Sequence, residues 1–286
     1  MVKFGSDELN YQVVESWGTL PEGWKFGHVI GVEVDSSDRV YVFHRGEHPV
    51  IIFDREGAVL SSWGEGVFEN PHGIYIDDEG AVYCTDSGDH TVRKFTADGE
   101  LLRTWGTKNE PKEEEPFNHP ADIAIAPTGE MYVSDGYGNS RVHKYSADGE
   151  FLLSWGEKGD APGQFNLPHD VWVHKDGRVF VSDRENHRIQ IFDQDGMLLD
   201  TWTGFKQPCS VYIDPEERVY VPELQARMSI LDIEGNLLAR WGGEESKAPG
   251  LFIAPHTAAV DSHGDLYIGE TLEGSRIQKF VSARVL

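Results

Sequence analysis

The chain has 286 residues, and its 25 lysines and arginines face 49 aspartates and glutamates, a formal net charge of −24 at pH 7. A surface that negative repels phosphate backbones and anionic lipid headgroups, so neither nucleic acid nor membrane is an expected partner. No apolar run reaches membrane-spanning length, no signal-type apolar core opens the chain, and Cys84 and Cys209 lie far apart in no metal or redox spacing, so a reducing cytoplasm is the expected compartment.

In chain order, the first readable element is 11-YQVVESWG-18, a strand ending in Trp-Gly. The same ending returns in 54-DREGAVLSSWG-64, 98-DGELLRTWG-106, 148-DGEFLLSWG-156, 195-DGMLLDTW-202 and 235-GNLLARWG-242, with the tryptophans about 40–50 residues apart. Each interval repeats one grammar: an apolar strand (GIYID), a D-x-x-G turn, a second strand (AVYCTD), a polar loop, a third strand (TVRKFT), an Asp-Gly turn and a fourth strand. Short strands joined by Asp-Gly turns read as antiparallel meanders, and four of them in roughly 40–50 residues is the blade period of a β-propeller. The insertion 107-TKNEPKEEEPFN-118 reads as a charged surface loop. The final unit has three strands, TAAVD, LYIGE and RIQKFV, and lacks a fourth; residues 11–18 supply it, hiding two open edges. The expected fold is an all-β, six-bladed β-propeller forming one domain over 1–286, its last blade closed by the N-terminal strand.

The first strand of each blade lines the centre of a propeller. Aligned on that strand, 70-NPHGIYID-77, 167-LPHDVWVH-174 and 254-APHTAAVD-261 place His72, His169 and His256 at one position, which the other three blades fill with Ile30, Ala121 and Cys209. Alternate blades of a six-fold ring are related by a three-fold axis, so the three imidazoles are expected to converge. Three neutral imidazoles with an open fourth position make a catalytic zinc arrangement. His90, His119, His174 and His187 read as ordinary loop or turn histidines. Most second strands end in a carboxylate (Asp86, Asp135, Asp183, Glu223, Glu270) that ties the following loop down. The first blade departs with His44 at the acid's place and Arg45 beside it, and an arginine near a metal suits a carboxylate. Tyr137 and Arg184, on the corresponding loops of the third and fourth blades, are candidate base and partner that the residue pattern alone does not single out.

The blade grammar resembles NHL repeats. The set VFHRGEH, NPHG, SDGYGNSR, LPHD with SDRENHRIQ, and the final APH resembles peptidyl-α-hydroxyglycine α-amidating lyase through all six blades in matching order. That family is a six-bladed propeller with a catalytic zinc, splitting the C–N bond of an N-substituted α-hydroxyglycine into an amide and glyoxylate. The resemblance implies zinc ligands His72, His169 and His256, a substrate-carboxylate role for Arg45, a proton-accepting role for Tyr137, and for Arg184 support of the phenolate. Ala254 and Thr257 depart from the family's Met-Pro-His-Asp. The absent aspartate also helps hold a family calcium, with carbonyls corresponding to Val32 and Ile74; Asp170 is a candidate substitute. The expectation is a monomeric zinc lyase acting on a small or peptide carboxylate substrate, ureidoglycolate-like compounds included. The rival is a non-catalytic propeller serving as a protein-interaction module.

Overall fold

The structure, a computed structural model, describes residues 3–6 and 9–283. They form an all-β six-bladed β-propeller whose blades are antiparallel sheets, with one 3-10 turn (Arg184–Asn186) among the described residues. None of their helices is long and apolar enough to cross a membrane. The chain divides into two compact units, Gly66–Val211 and the pair of segments Met1–Glu65 and Tyr212–Leu286.

In the strand count of the whole chain, β1 is Phe4–Gly5, β2 Asn10–Val14, β3 Val29–Val34, β4 Val40–His44, β5 Val50–Phe53 and β6 Val59–Trp63. The unit Gly66–Val211 carries three sheets. These are β7 (Pro71–Ile76) to β10 (Leu101–Trp105), β11 (Asp122–Ile125) to β14 (Phe151–Trp155), and β15 (Pro168–Val173) to β18 (Leu198–Trp202), each a four-stranded meander. The other unit carries β3–β6, the meander β19 (Tyr212–Ile213) to β22 (Leu237–Gly242), and a five-stranded sheet ordered β1-β2-β25-β24-β23. In that last sheet β23 is Pro255–Val260, β24 Leu266–Glu270 and β25 Arg276–Ser282. There β2 pairs with β25 from Tyr11↔Ser282 to Val14↔Lys279, so an N-terminal strand does close the last blade. Two details differ from the sequence reading. The strand stops at Val14, because Ser16 takes a left-handed φ of 61° that breaks the ladder, and β1 adds a fifth strand outside it.

The repeated D-x-x-G…W-G phrase has a packing cause. In the Asp54–Gly57 turn the Gly57 amide donates to the Asp54 carbonyl, and Gly57 sits at φ 93°. A side chain there is excluded twice, by conformation and by Trp17, whose indole lies 3.0 Å from where a Cβ would stand. That indole donates Nε1–H to the Arg55 carbonyl and packs on Phe53 and Tyr267. The same relation recurs between Gly149 and Trp105 and between Gly196 and Trp155, so one blade's turn is the floor for the preceding blade's tryptophan. The fourth strands are otherwise half-exposed, and their tryptophans are what commit them to the core.

Gly196→Ala is expected to destabilise the protein by about 2–4 kcal/mol, combining left-handed strain with displacement of Trp155. Gly163, at φ 79° with open space around it, is the control: Gly163→Ala carries the strain alone, about 1 kcal/mol. Urea unfolding of the two variants checks it, and equal losses would remove the packing explanation.

Candidate functional site

Two kinds of hydrogen bond build the site. The first fixes the loops. At the end of β8 (Val82–Asp86), buried Asp86 accepts the amides of Glu69 and Asn70 at 2.7 and 2.9 Å, satisfying the loop that leads into β7. Asp135 takes the Asn118 amide, Asp183 that of Asn166, and Glu270 those of Ile253 and Ala254. A buried carboxylate needs compensation, and Arg188, Arg227 and Arg276 supply it to Asp183, Glu223 and Glu270. The first blade has Pro49 where those blades have arginine, its carbonyl accepting the His44 amide at 2.9 Å. There His44 replaces the acid, and its Nδ1 accepts the Gly27 amide at 3.0 Å. Full burial holds the His44 imidazole neutral, with its pKa lowered to about 4. A neutral acceptor is what a blade without the arginine can bury.

The second kind fixes the histidines. In β7, β15 and β23 the pairing register shifts just after Pro71, Pro168 and Pro255, a bulge that turns the next side chain out of the ladder. That side chain is His72, His169 or His256, each buried. Their Nδ1 atoms lie 2.9, 2.7 and 3.0 Å from the carbonyls of Ala121, Cys209 and Ile30. A carbonyl only accepts, so Nδ1 carries the proton and Nε2 presents its lone pair. The residues at the ring position of the histidine-free blades are thus the anchors of the three imidazoles. Within Gly66–Val211 the rings of His72 and His169 face each other with centroids 4.7 Å apart, and in the other unit His256 presents its ring in the same way.

Within Gly66–Val211, His72, His169, Tyr137 and Arg184 come together. The Tyr137 hydroxyl lies 2.9 Å from His72 Nε2 and 3.1 Å from His169 Nε2. One hydroxyl hydrogen cannot serve both acceptors, so one nitrogen lone pair meets an oxygen lone pair unless a cation sits among them. The donor set therefore fits a metal such as zinc, which three neutral imidazoles bind. Arg184, in the 3-10 turn after β16 (Val179–Asp183), places Nη1 3.5 Å from the Tyr137 oxygen and its guanidinium 5.8 Å from the ring centre. Its Nε donates to Glu185 at 2.9 Å, and Glu185 accepts from Gln207 Nε2 at 2.9 Å. Arg45 follows His44 in the other unit, its amide bonded to the His28 carbonyl at 3.0 Å.

The residues after the histidines are also specified. A side chain on Gly73 would meet Asp122 Oδ1 at 2.0 Å, so only glycine fits. Asp122 hydrogen-bonds Asp170, and burial pushes its carboxyl up to about 7, leaving the pair to share a proton. Asp170 also accepts the Val211 amide at 3.0 Å, as Thr257 Oγ1 accepts the Val32 amide at 3.1 Å. Three of the histidines read as ordinary do local work: His90 and His187 accept the His119 and Gln207 amides at 3.1 Å each, and His119 donates to the Ser87 carbonyl. Glu185, Gln207 and Asp122 were not legible as site residues; blade-by-blade alignment of the loops beside the histidines was the signal available for them.

Similarity to known proteins follows the same lines. The NHL repeat family matches residues 68–95, 117–145 and 165–192. NHL repeat-containing protein 3 of Homo sapiens is 33% identical, over 98% of this chain and 86% of that protein. Peptidyl-alpha-hydroxyglycine alpha-amidating lyase 2 of Drosophila melanogaster is 28% identical over 95% of this chain and 75% of its own length. Among solved structures, a streptogramin B lyase superposes with a TM-score of 0.68 at 12% identity, covering 95% of this chain and 98% of its own, a likeness of fold.

Because His44 titrates near 4 folded and near 6.5 unfolded, the unfolded chain binds its proton first, and the His44 contribution falls as pH drops from about 6.5 to about 4. Relative to His44→Gln, which keeps an acceptor for Gly27, the wild type is expected to lose about 3 kcal/mol across that window. Paired unfolding curves at pH 7 and pH 4 check it; a constant difference would show that His44 is protonated as readily when folded.

Proposed function

The chain belongs to the NHL repeat family, and from that membership and its site we propose that it is a zinc-dependent carbon–nitrogen lyase acting on an N-substituted α-hydroxyglycine. The observation that carries this reading is the Tyr137 hydroxyl shared between two imidazoles whose other nitrogens are tied to backbone carbonyls. His72, His169 and His256 would hold the metal, and zinc, when bound, supplies Lewis acidity toward an oxygen. The likeness to the fly amidating lyase supports the same chemistry.

The chain's own groups account for the rest. Arg45 holds the substrate carboxylate through its guanidinium fork. Tyr137, with the Arg184 charge beside its oxygen, takes the proton of the substrate hydroxyl. As that proton leaves, the carbon–oxygen bond becomes a carbonyl and the carbon–nitrogen bond breaks. Tyr137 then returns the proton to the departing nitrogen, so the products are a neutral amide and glyoxylate. Substrates carrying a carboxylate next to the carbinol carbon fit, whether small molecules or peptides. Calcium is a second candidate ion beneath the histidines; Thr257 offers it a hydroxyl where the resemblance expects a carboxylate.

Purified protein is expected to hold close to one zinc per chain, and His72→Ala or His169→Ala to lose it while keeping the wild-type circular dichroism spectrum. A folded wild type without metal would leave the non-catalytic interaction module instead. With an α-hydroxyhippurate probe, Tyr137→Phe is expected to lower kcat by at least about 100-fold at little change in KM. Arg45→Ala is expected mainly to raise KM. Glyoxylate release is the measurement, and a fully active Tyr137→Phe enzyme would reject the assigned base.

A further inference from the structure

Arg184 reaches Tyr137 from a one-turn 3-10 segment, and a long flexible side chain on such a segment needs a second hold to keep one direction. The hold is Glu185. Its carboxylate accepts Arg184 Nε–H at 2.9 Å through Oε1 and Gln207 Nε2–H at 2.9 Å through Oε2. The Glu185 carboxylate thus stands between two neighbours, one oxygen for each, with the arginine side chain 14% and the glutamate side chain 32% exposed. Because the guanidinium is planar, fixing Nε fixes the plane in which Nη1 points at the Tyr137 oxygen.

Gln207 is itself held at both ends. Its amide donates to His187 Nδ1 at 3.1 Å, and both residues adopt left-handed backbone angles, φ 55° and 56°. A non-glycine residue keeps such a conformation only when its surroundings impose it. Two residues further on, the Cys209 carbonyl receives the Nδ1 proton of His169. The segment 207–209 therefore touches two parts of the site at once, the arginine through Glu185 and the imidazole through a carbonyl.

We infer that Glu185 and Gln207 are positioning residues, a clamp that orients Arg184 toward Tyr137 and sets the productive geometry of that pair. The catalytic consequence rests on the lyase reading; the orientation of Arg184 does not. Glutamine at position 185 retains the clamp, keeping its oxygen for Arg184 Nε–H and donating its NH2 to Gln207 once that amide turns its own oxygen inward, whereas leucine offers neither. It also explains why a glutamate is placed beside the arginine: a largely buried guanidinium keeps a counter-charge while its Nη1 edge stays directed at the tyrosine.

The test uses the full chain with its metal content measured. Glu185→Leu is expected to lower kcat/KM for the α-hydroxyhippurate probe at least tenfold, mostly in kcat, with metal content and melting temperature unchanged. Glu185→Gln is expected to restore it to within about threefold of wild type. Gln207→Glu, which sets like charges against each other, is expected to behave as Glu185→Leu does. Independently of turnover, the Arg184 Nε–H resonance is expected to exchange slowly with water in the wild type and in Glu185→Gln, and quickly in Glu185→Leu. If the wild type cleaves nothing, the lyase reading fails and the resonance alone decides the clamp. A Glu185→Leu protein with wild-type kcat/KM, or one whose Arg184 resonance is as protected as wild type, would overturn it; so would a Glu185→Gln variant no better than Glu185→Leu.

Discussion

In five of the six blades, backbone amides of the loop that leads into the first strand need acceptors. The side chain that closes the second strand provides them, and most other features follow from that choice. An aspartate or glutamate accepts well but brings a charge into the interior, which is why Arg188, Arg227 and Arg276 open the third strands of their blades. Where Pro49 stands in that place, a carboxylate would be stranded, and His44 accepts the Gly27 amide without a charge. The loops that follow these acceptors are therefore anchored at their base. Tyr137 and Arg184 each hang within two residues of such an anchor, Asp135 and Asp183, so surface loops are stiff enough to aim at particular atoms.

The histidines depend on a second constraint, the tautomer. An imidazole offers a lone pair in a chosen direction only if its other nitrogen keeps the proton, and that nitrogen needs an acceptor that never donates. Backbone carbonyls meet the requirement. The alternation of histidine with Ile30, Ala121 and Cys209 is thus a division of labour rather than a set of blanks: one blade presents the ring, and the other presents the carbonyl that fixes it. The bulge after each Pro-His proline makes this possible, because it frees one residue from the ladder without ending the strand.

Much of this was legible in the sequence, for physical reasons that differ by residue. The blades could be read because a tryptophan and the turn glycine beneath it must recur together, as Trp105 with Gly149 and Trp155 with Gly196 do. The strand at the N-terminus was read too long because Trp17 completes the repeated phrase, while the turn at Ser16 is set by backbone conformation that the phrase does not encode. The three histidines were legible since they alone break an otherwise apolar position. Tyr137 and Arg184 were not singled out by pattern and came from resemblance. Glu185 was invisible because its neighbours in the aligned loops, Gly88 and Tyr137 among them, share no chemistry with it. A contact such as Gln207 to Glu185 joins residues 22 apart and leaves no periodic trace.

Thr257 shows how a departure from a pattern can be weighed by what the replaced atom does. The residue after a ring histidine holds an amide of the following first strand. Asp170 does so by accepting Val211, and Thr257 does so equally by accepting Val32, with distances of 3.0 and 3.1 Å. They part in charge, since a hydroxyl carries none. The anchor of His256 is untouched, its Nδ1 remaining 3.0 Å from the Ile30 carbonyl. The threonine therefore keeps the amide contact and leaves the placement of the histidine beside it intact, so the departure changes the charge at this position and not the geometry.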